Sequence, residues 1–123
     1  MPVVRHADAR RTATPNAVMT TLASPTQGGT GLAVWQVRMD PGASGPPHRF
    51  DAEQVWTVLT GSARIELDGA EHAVGEGDTV VMPAGVPRRV HAGERPFTAV
   101  VAAPAGARAT ADGADPVLPA WIA

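Results

Sequence analysis

An all-β fold of the jelly-roll or sandwich kind follows from three features of this 123-residue sequence. Turn-forming clusters recur about every 8 to 12 residues, the rhythm of many short strands: SPTQGGTG at 24–31, DPGASGPP at 40–47, Asp68-Gly69, GEGD at 75–78 and GERP at 93–96. The segments between them are short, and several are rich in the β-branched residues that suit a pleated backbone. None is long enough for an amphipathic helix. About eight such strands must close a barrel or pack as two sheets, because an open sheet would leave edges and one apolar face in water. The length fits a single domain over 1–123 and is too small for two cores.

Taken in order, residues 1–31 supply the N-terminal strands, clearest at Val18 to Leu22. Leu32 to Met39 alternates so that Trp35, Val37 and Met39 share one face. Val55 to Leu59 and Ala63 to Leu67 are two alternating strands flanking Thr60, Gly61 and Ser62, read as a hairpin, and Asp68-Gly69 opens a second turn before the strand that carries His72. Thr79 to Met82 and Phe97 to Ala102 complete a barrel expected over about 32–104. The tail, 105–123, is small and turn-rich from Gly106 to Pro116, then carries Val117, Leu118, Trp121 and Ile122. It reads as a linker with an apolar clip, covering either the domain's own core or a second subunit.

Charge and composition narrow the function. The formal net charge is −2, and the basic residues, all Arg, are dispersed. No nucleic-acid footprint is formed, so small-molecule partners are expected. The absence of cysteine excludes disulfides, thiolate metal sites and cysteine nucleophiles. Arg5, His6, Asp8, Arg10 and Arg11 stand where a secretory signal needs an apolar run, and no stretch approaches the roughly 20 apolar residues of a membrane span. A soluble, cytoplasmic protein with no membrane partner is the expectation.

Two stretches carry the chemistry: GPPHRFDAEQVWTVLTG at 45–61 and GEGDTVVMPAGVPRRVHAG at 75–93. In the first, His48, Phe50, Gln54 and Gly61 follow the spacing His-x-His, then Glu, then Gly; in the second, Gly77, Pro83, Gly85 and Arg88 follow Gly, then Pro-x-Gly, then His. With these motifs the chain resembles the cupin family, over about residues 32–104, and specifically its small single-domain members with degenerate metal-binding motifs. The resemblance implies a cupin-type double-stranded β-helix, a jelly-roll barrel. It also implies an interior site where three imidazoles and a carboxylate usually hold a divalent transition metal. Only His48 of those four is kept, so no metal is favoured; if one binds, His48 is the first ligand, with Gln54, Glu53 or His91 behind it through a shifted register.

Alternation turns 48, 50, 54 and 56 inward and 49, 53 and 55 outward. His48, Arg88 and Gln54 are therefore the candidate catalytic residues, and Trp35, Phe50, Trp56 and Met39 the candidate pocket wall. Arg88 would clamp an anion, His48 would move a proton and Gln54 would orient substrate. The favoured reading is an enzyme of proton-transfer chemistry (isomerisation, cyclisation, dehydration or decarboxylation) on an anionic or aromatic metabolite. A divalent-metal-dependent oxygenase and a non-catalytic ligand-binding or sensor module are the alternatives. Barrels of this family commonly pair through sheet edges, so a homodimer is expected.

Overall fold

The computed structural model describes residues 3–111 and 113–123; residues 1 and 2, in the N-terminal segment, and 112, in the tail, lie outside the described residues. Eleven strands run through it: β1 (Arg11–Ala13), β2 (Val18–Ala23), β3 (Leu32–Met39), β4 (Arg49–Phe50), β5 (Gln54–Thr60), β6 (Ala63–Leu67), β7 (Ala70–Val74), β8 (Thr79–Met82), β9 (Arg88–Ala92), β10 (Phe97–Pro104) and β11 (Ala109–Thr110). They form a six-stranded sheet in the order β1-β2-β3-β10-β5-β8, a three-stranded sheet β7-β6-β9 and a short pair β11-β4. All named pairings are antiparallel. This is the jelly-roll architecture the breaker rhythm implies.

One hairpin is placed differently from the sequence reading. Thr60, Gly61 and Ser62 do not join paired strands, because β5 belongs to the six-stranded sheet and β6 to the three-stranded one. The turn carries the chain across the barrel. Gly61 permits it: its φ is +75°, and a Cβ there would stand 2.4 Å from the Pro96 carbonyl oxygen. Asp68-Gly69 is the true hairpin turn, joining β6 to β7 with φ of 50° and 80°. Two consecutive positive φ values match the right-handed twist of the strands they connect.

The core lies between the sheets. Trp35, Val37 and Met39 of β3, Trp56 and Val58 of β5, Phe97, Ala99 and Val101 of β10, Ile65 of β6 and Val90 of β9 form one buried cluster. Each large side chain removed from water contributes about 1.5–3 kcal/mol, which makes this cluster the main source of stability. The tail divides the clip: its last residues enter the chain's own core, while Val117 and Leu118 stay exposed. Ile122 is fully buried in the chain's own core and Trp121 packs against it. The segment is tied down by Thr21 Oγ1, which donates to the Trp121 carbonyl at 2.9 Å, and by Ser24 Oγ, Thr26 Oγ1 and Arg10 Nη2, which donate to the Ala123 carbonyl at 2.7, 2.7 and 2.9 Å. Among the described residues no helix is long and apolar enough to cross a membrane.

Candidate active site

A cavity of about 360 Å³ opens into the barrel. Trp35, Val37 and Met39 from β3, Phe50 from β4, and Gln54 and Trp56 from β5 line it, with His48 just before β4. The alternation argument is met residue by residue: Phe50, Gln54 and Trp56 are buried while Arg49, Glu53 and Val55 are exposed. Gln54, not Glu53, is on the cavity wall. Sequence reasoning missed the rest of the lining, which includes Thr14 to Ala17 and Met19 near the N-terminus and Ala109, Val117 and Trp121 toward the C-terminus. Only the apolar clip at Trp121 and Ile122 signalled that the tail had an interior role.

His48 is positioned by two backbone contacts. Its N–H donates to the Arg88 carbonyl at 3.0 Å and its carbonyl accepts from the Arg88 N–H at 2.8 Å, which pins the residue to the first position of β9. Its ring Nδ1 lies 2.8 Å from the Pro46 carbonyl oxygen. A carbonyl can only accept, so Nδ1 carries the hydrogen, and in the neutral ring Nε2 keeps its lone pair. Burial pushes the His48 pKa below its ordinary 6.5; the Pro46 hydrogen bond works against that shift and the Arg88 charge works with it. At neutral pH the ring is therefore an uncharged base.

Gln54 is 1% exposed. Its Oε1 accepts from the Trp56 indole N–H at 3.0 Å. Since the indole can only donate, this contact fixes which end of the amide is oxygen. The remaining end, Nε2, is buried and has no partner among the described residues. An unpaired buried donor costs about 1–3 kcal/mol, and such a group is rare in a folded protein unless something answers it.

Arg88 departs from the expectation. It is 2% exposed but is not on the cavity wall. Its guanidinium turns back on its own loop, donating from Nη2 to the Pro83 carbonyl at 2.8 Å and from Nε and Nη2 to the Val86 carbonyl at 3.2 and 3.0 Å. Cζ sits 5.7 Å from the centre of the Phe50 ring, whose other neighbour is His48, edge-on at 5.4 Å. Phe50 thus contacts both the cation and the imidazole. Arg88 is not placed on the wall to clamp a ligand's carboxylate: its Nε and Nη2 are spent on the Pro83 and Val86 carbonyls, and its Nη1 is buried without a partner among the described residues. No carboxylate pairs with it among the described residues, so its charge is only partly answered.

The shifted metal shell is not assembled either. Phe50 has no donor atom, Gln54 Oε1 is committed to Trp56, and Glu53 faces solvent. His91 points to the opposite side of β9, where Ser44 Oγ lies 2.6 Å from its Nδ1 and Glu66 2.5 Å from its Nε2. Among the described residues no three of His, Cys, Asp and Glu converge as ligands. The residues present do not fit the oxygen- and nitrogen-rich shell a divalent transition metal takes.

With this geometry in view, the comparisons become interpretable. The model of the cupin domain matches residues 35–102, more than half of the chain. The chain belongs to the cupin family. A curated relative, the dimethylsulfoniopropionate lyase DddQ of Ruegeria pomeroyi, is 35% identical over 71 residues, or 57% of this cupin. This cupin spans about a third, 35%, of that relative's length. Among solved structures it is similar to the polyketide cyclase RemF from Streptomyces resistomycificus, at 26% identity and a TM-score of 0.71 over 85% of this chain and 79% of the other. It is also similar to KdgF from Halomonas, at 23% identity and a TM-score of 0.71 over 83% and 92% of the two chains. Oxalate decarboxylase from Bacillus subtilis matches at 22% identity and a TM-score of 0.71, over 80% of this chain and 28% of its own. At such identities the last two speak for the fold alone. The family accommodates unlike chemistries on one barrel, so function must be argued from the site.

Proposed function

We propose that this cupin is a cytoplasmic enzyme of small-metabolite metabolism that moves a proton next to the carbonyl of an aromatic substrate, without a metal. One observation carries the reading: a neutral imidazole with a free Nε2 and an amide with an unspent N–H share the wall of an otherwise apolar cavity. Trp35, Phe50 and Trp56 provide ring-sized apolar surface. His48 Nε2 takes a proton from the carbon beside the carbonyl; the C–H electron pair becomes the new C=C bond, and the carbonyl oxygen becomes an enolate that accepts from Gln54 Nε2–H. Returning the proton from His48 to a different carbon is isomerisation; attack of the enolate carbon on a second carbonyl, whose oxygen takes that proton, is cyclisation; expulsion of a β-hydroxyl, which takes that proton and leaves as water, is dehydration.

The two groups act on different states of the substrate. A general base contributes about 10²- to 10⁴-fold. A fixed donor at the developing oxyanion is worth about 10²- to 10³-fold, because it is stronger in the transition state than in the ground state. Arg88 adds its field through Phe50. For a charge beyond the ring, at roughly 8 Å and an effective dielectric of about 20, that is about 2 kcal/mol.

Supporting a homodimer, the outer face of the six-stranded sheet carries an uncharged row across four strands: Val81, Val55, Ala102 and Val34. Val81 is 55% exposed and Leu59, nearby on β5, 46%. A second copy would remove this surface from water.

The test is deuterium exchange at the activated methylene of 2-tetralone, an uncharged aromatic ketone, followed by NMR in D₂O. Wild-type protein should accelerate exchange above buffer, and His48→Ala should reduce the acceleration at least about a hundredfold. Exchange at the buffer rate with wild-type protein, or at the wild-type rate with His48→Ala, would overturn the reading. A non-catalytic binding module is then the surviving account.

A further inference from the structure

The cavity wall is more selective than its apolar character implies. Its polar side chains are few, and none of the lining residues is Arg or Lys. The one buried cation among the described residues, Arg88, is not on the wall; its Nε and Nη2 donate to the Pro83 and Val86 carbonyls, and its Nη1 is buried without a partner. Asp115 is at the rim, where a negative charge opposes entry of another. A carboxylate brought into this space would lose its water and meet, beside a base with a lone pair, only uncharged polar side chains: Gln54, Asn16 and Thr14. The cost of stripping water from a full charge is not recovered by neutral donors alone. A carbonyl, by contrast, loses little and satisfies Gln54 Nε2, which otherwise stays unpaired.

The direction of that amide is set by its neighbour. Gln54 and Trp56 lie two apart on β5, so both side chains face inward, and the indole N–H holds Oε1 at 3.0 Å. A free glutamine amide can present either end, whereas this one presents only its nitrogen. We infer that the cavity takes an uncharged aromatic ketone or enone whose carbonyl oxygen accepts from Gln54 Nε2, and that Trp56 is the positioning residue that makes Gln54 a donor. This sharpens the proposed function by naming its substrate class, and it rests on the same cavity being the functional site. It also separates the roles of charge: the ground state enters uncharged, and negative charge develops only after His48 has taken the proton, where the Arg88 field acts on it.

The test is binding rather than turnover, with three probes of one shape: 2-acetylnaphthalene, 2-ethylnaphthalene and 2-naphthoate, measured by isothermal titration at pH 7.5 on the whole protein. For wild-type protein the ketone should bind about tenfold tighter than the ethyl compound, one well-made hydrogen bond, and at least tenfold tighter than the carboxylate. Gln54→Leu, of similar volume, should erase the ketone-over-ethyl ratio while leaving the ethyl affinity within about twofold. Trp56→Phe should lower the same ratio severalfold without a parallel loss for 2-ethylnaphthalene, a change that mere loosening of the wall would not produce. The wild-type series needs no variant to fold. Carboxylate binding equal to or tighter than ketone binding, a ratio near one in wild-type protein, a ratio unchanged in Gln54→Leu or Trp56→Phe, or no measurable binding by any probe would overturn the inference. The ketone preference without deuterium exchange would instead uphold the ligand class and remove the catalysis.

Discussion

Replacing Gly61 with alanine tests how the chain crosses from one sheet to the other. Two penalties apply. At φ +75° a side chain costs about 1–2 kcal/mol relative to glycine, of which about 0.4–1 kcal/mol is returned by the stiffer unfolded chain. The new Cβ would also lie 2.4 Å from the Pro96 carbonyl oxygen, 3.1 Å from its carbon and 3.2 Å from Phe97 Cα, all backbone atoms that no rotamer can move. Relief requires shifting the start of β10, where Phe97 is fully buried, at an overpacking cost of about 1–3 kcal/mol. The sum is about 1–5 kcal/mol, at about 4 °C of melting temperature per kcal/mol for a chain of this size. Gly77 is the matched control, since its φ is +83° but a Cβ there meets nothing within 4 Å. Gly77→Ala should cost about 1 kcal/mol or less. Thermal and urea unfolding of both variants measure the difference, and equal losses would refute the claim that the close approach to Pro96 fixes the crossing.

Four further outcomes follow from the same geometry. Exchange of 2-tetralone should rise with pH through an apparent pKa below 6.5, since His48 acts unprotonated and its pKa is lowered by burial; Arg88→Met should move that midpoint upward by removing a nearby positive charge. The sign for stability is the same: as pH falls below 6.5 the unfolded chain takes up the proton first, so burial of a neutral His48 loses its advantage progressively in acid, which melting curves against pH would reveal. Ile122→Ala removes a fully buried side chain and should cost about 2–5 kcal/mol in denaturant titration, whereas a loss under about 0.5 kcal/mol would show that the tail is not part of the core. Wild-type protein should elute with a dimer's mass by light scattering and Val81→Asp with a monomer's, and a wild-type monomer would remove the sheet-face pairing.

Much of the fold was legible because its signals are local. β3, β5, β6 and β8 were bounded within a residue or so by the breakers and the β-branched runs. The Thr60–Ser62 turn was misread because a tight glycine turn looks alike whether the strands it joins pair or part; only Pro96, far along the chain, makes the difference. The wall was readable for the same reason as the strands: period-two alternation placed Trp35, Met39, Phe50, Gln54 and Trp56 inward, and all line the cavity. Arg88 was not. Alternation puts its Cβ inward, but a long side chain chooses its own end point, and here the carbonyls of Pro83 and Val86 with the face of Phe50 hold it behind the wall. Nor could sequence say that the Trp56 indole would claim Gln54 Oε1, a contact between side chains rather than between patterns. The positive charge expected to clamp an anion is near the site, then, but off its wall.

Deuterium exchange of 2-tetralone in wild-type protein, His48→Ala, Gln54→Leu and the double variant is the most direct test of the account. If base and donor act as one unit, each single variant loses at least about a hundredfold and the double variant is little worse than His48→Ala alone. Exchange in Gln54→Leu at the wild-type rate, or His48→Ala retaining full activity, would contradict it.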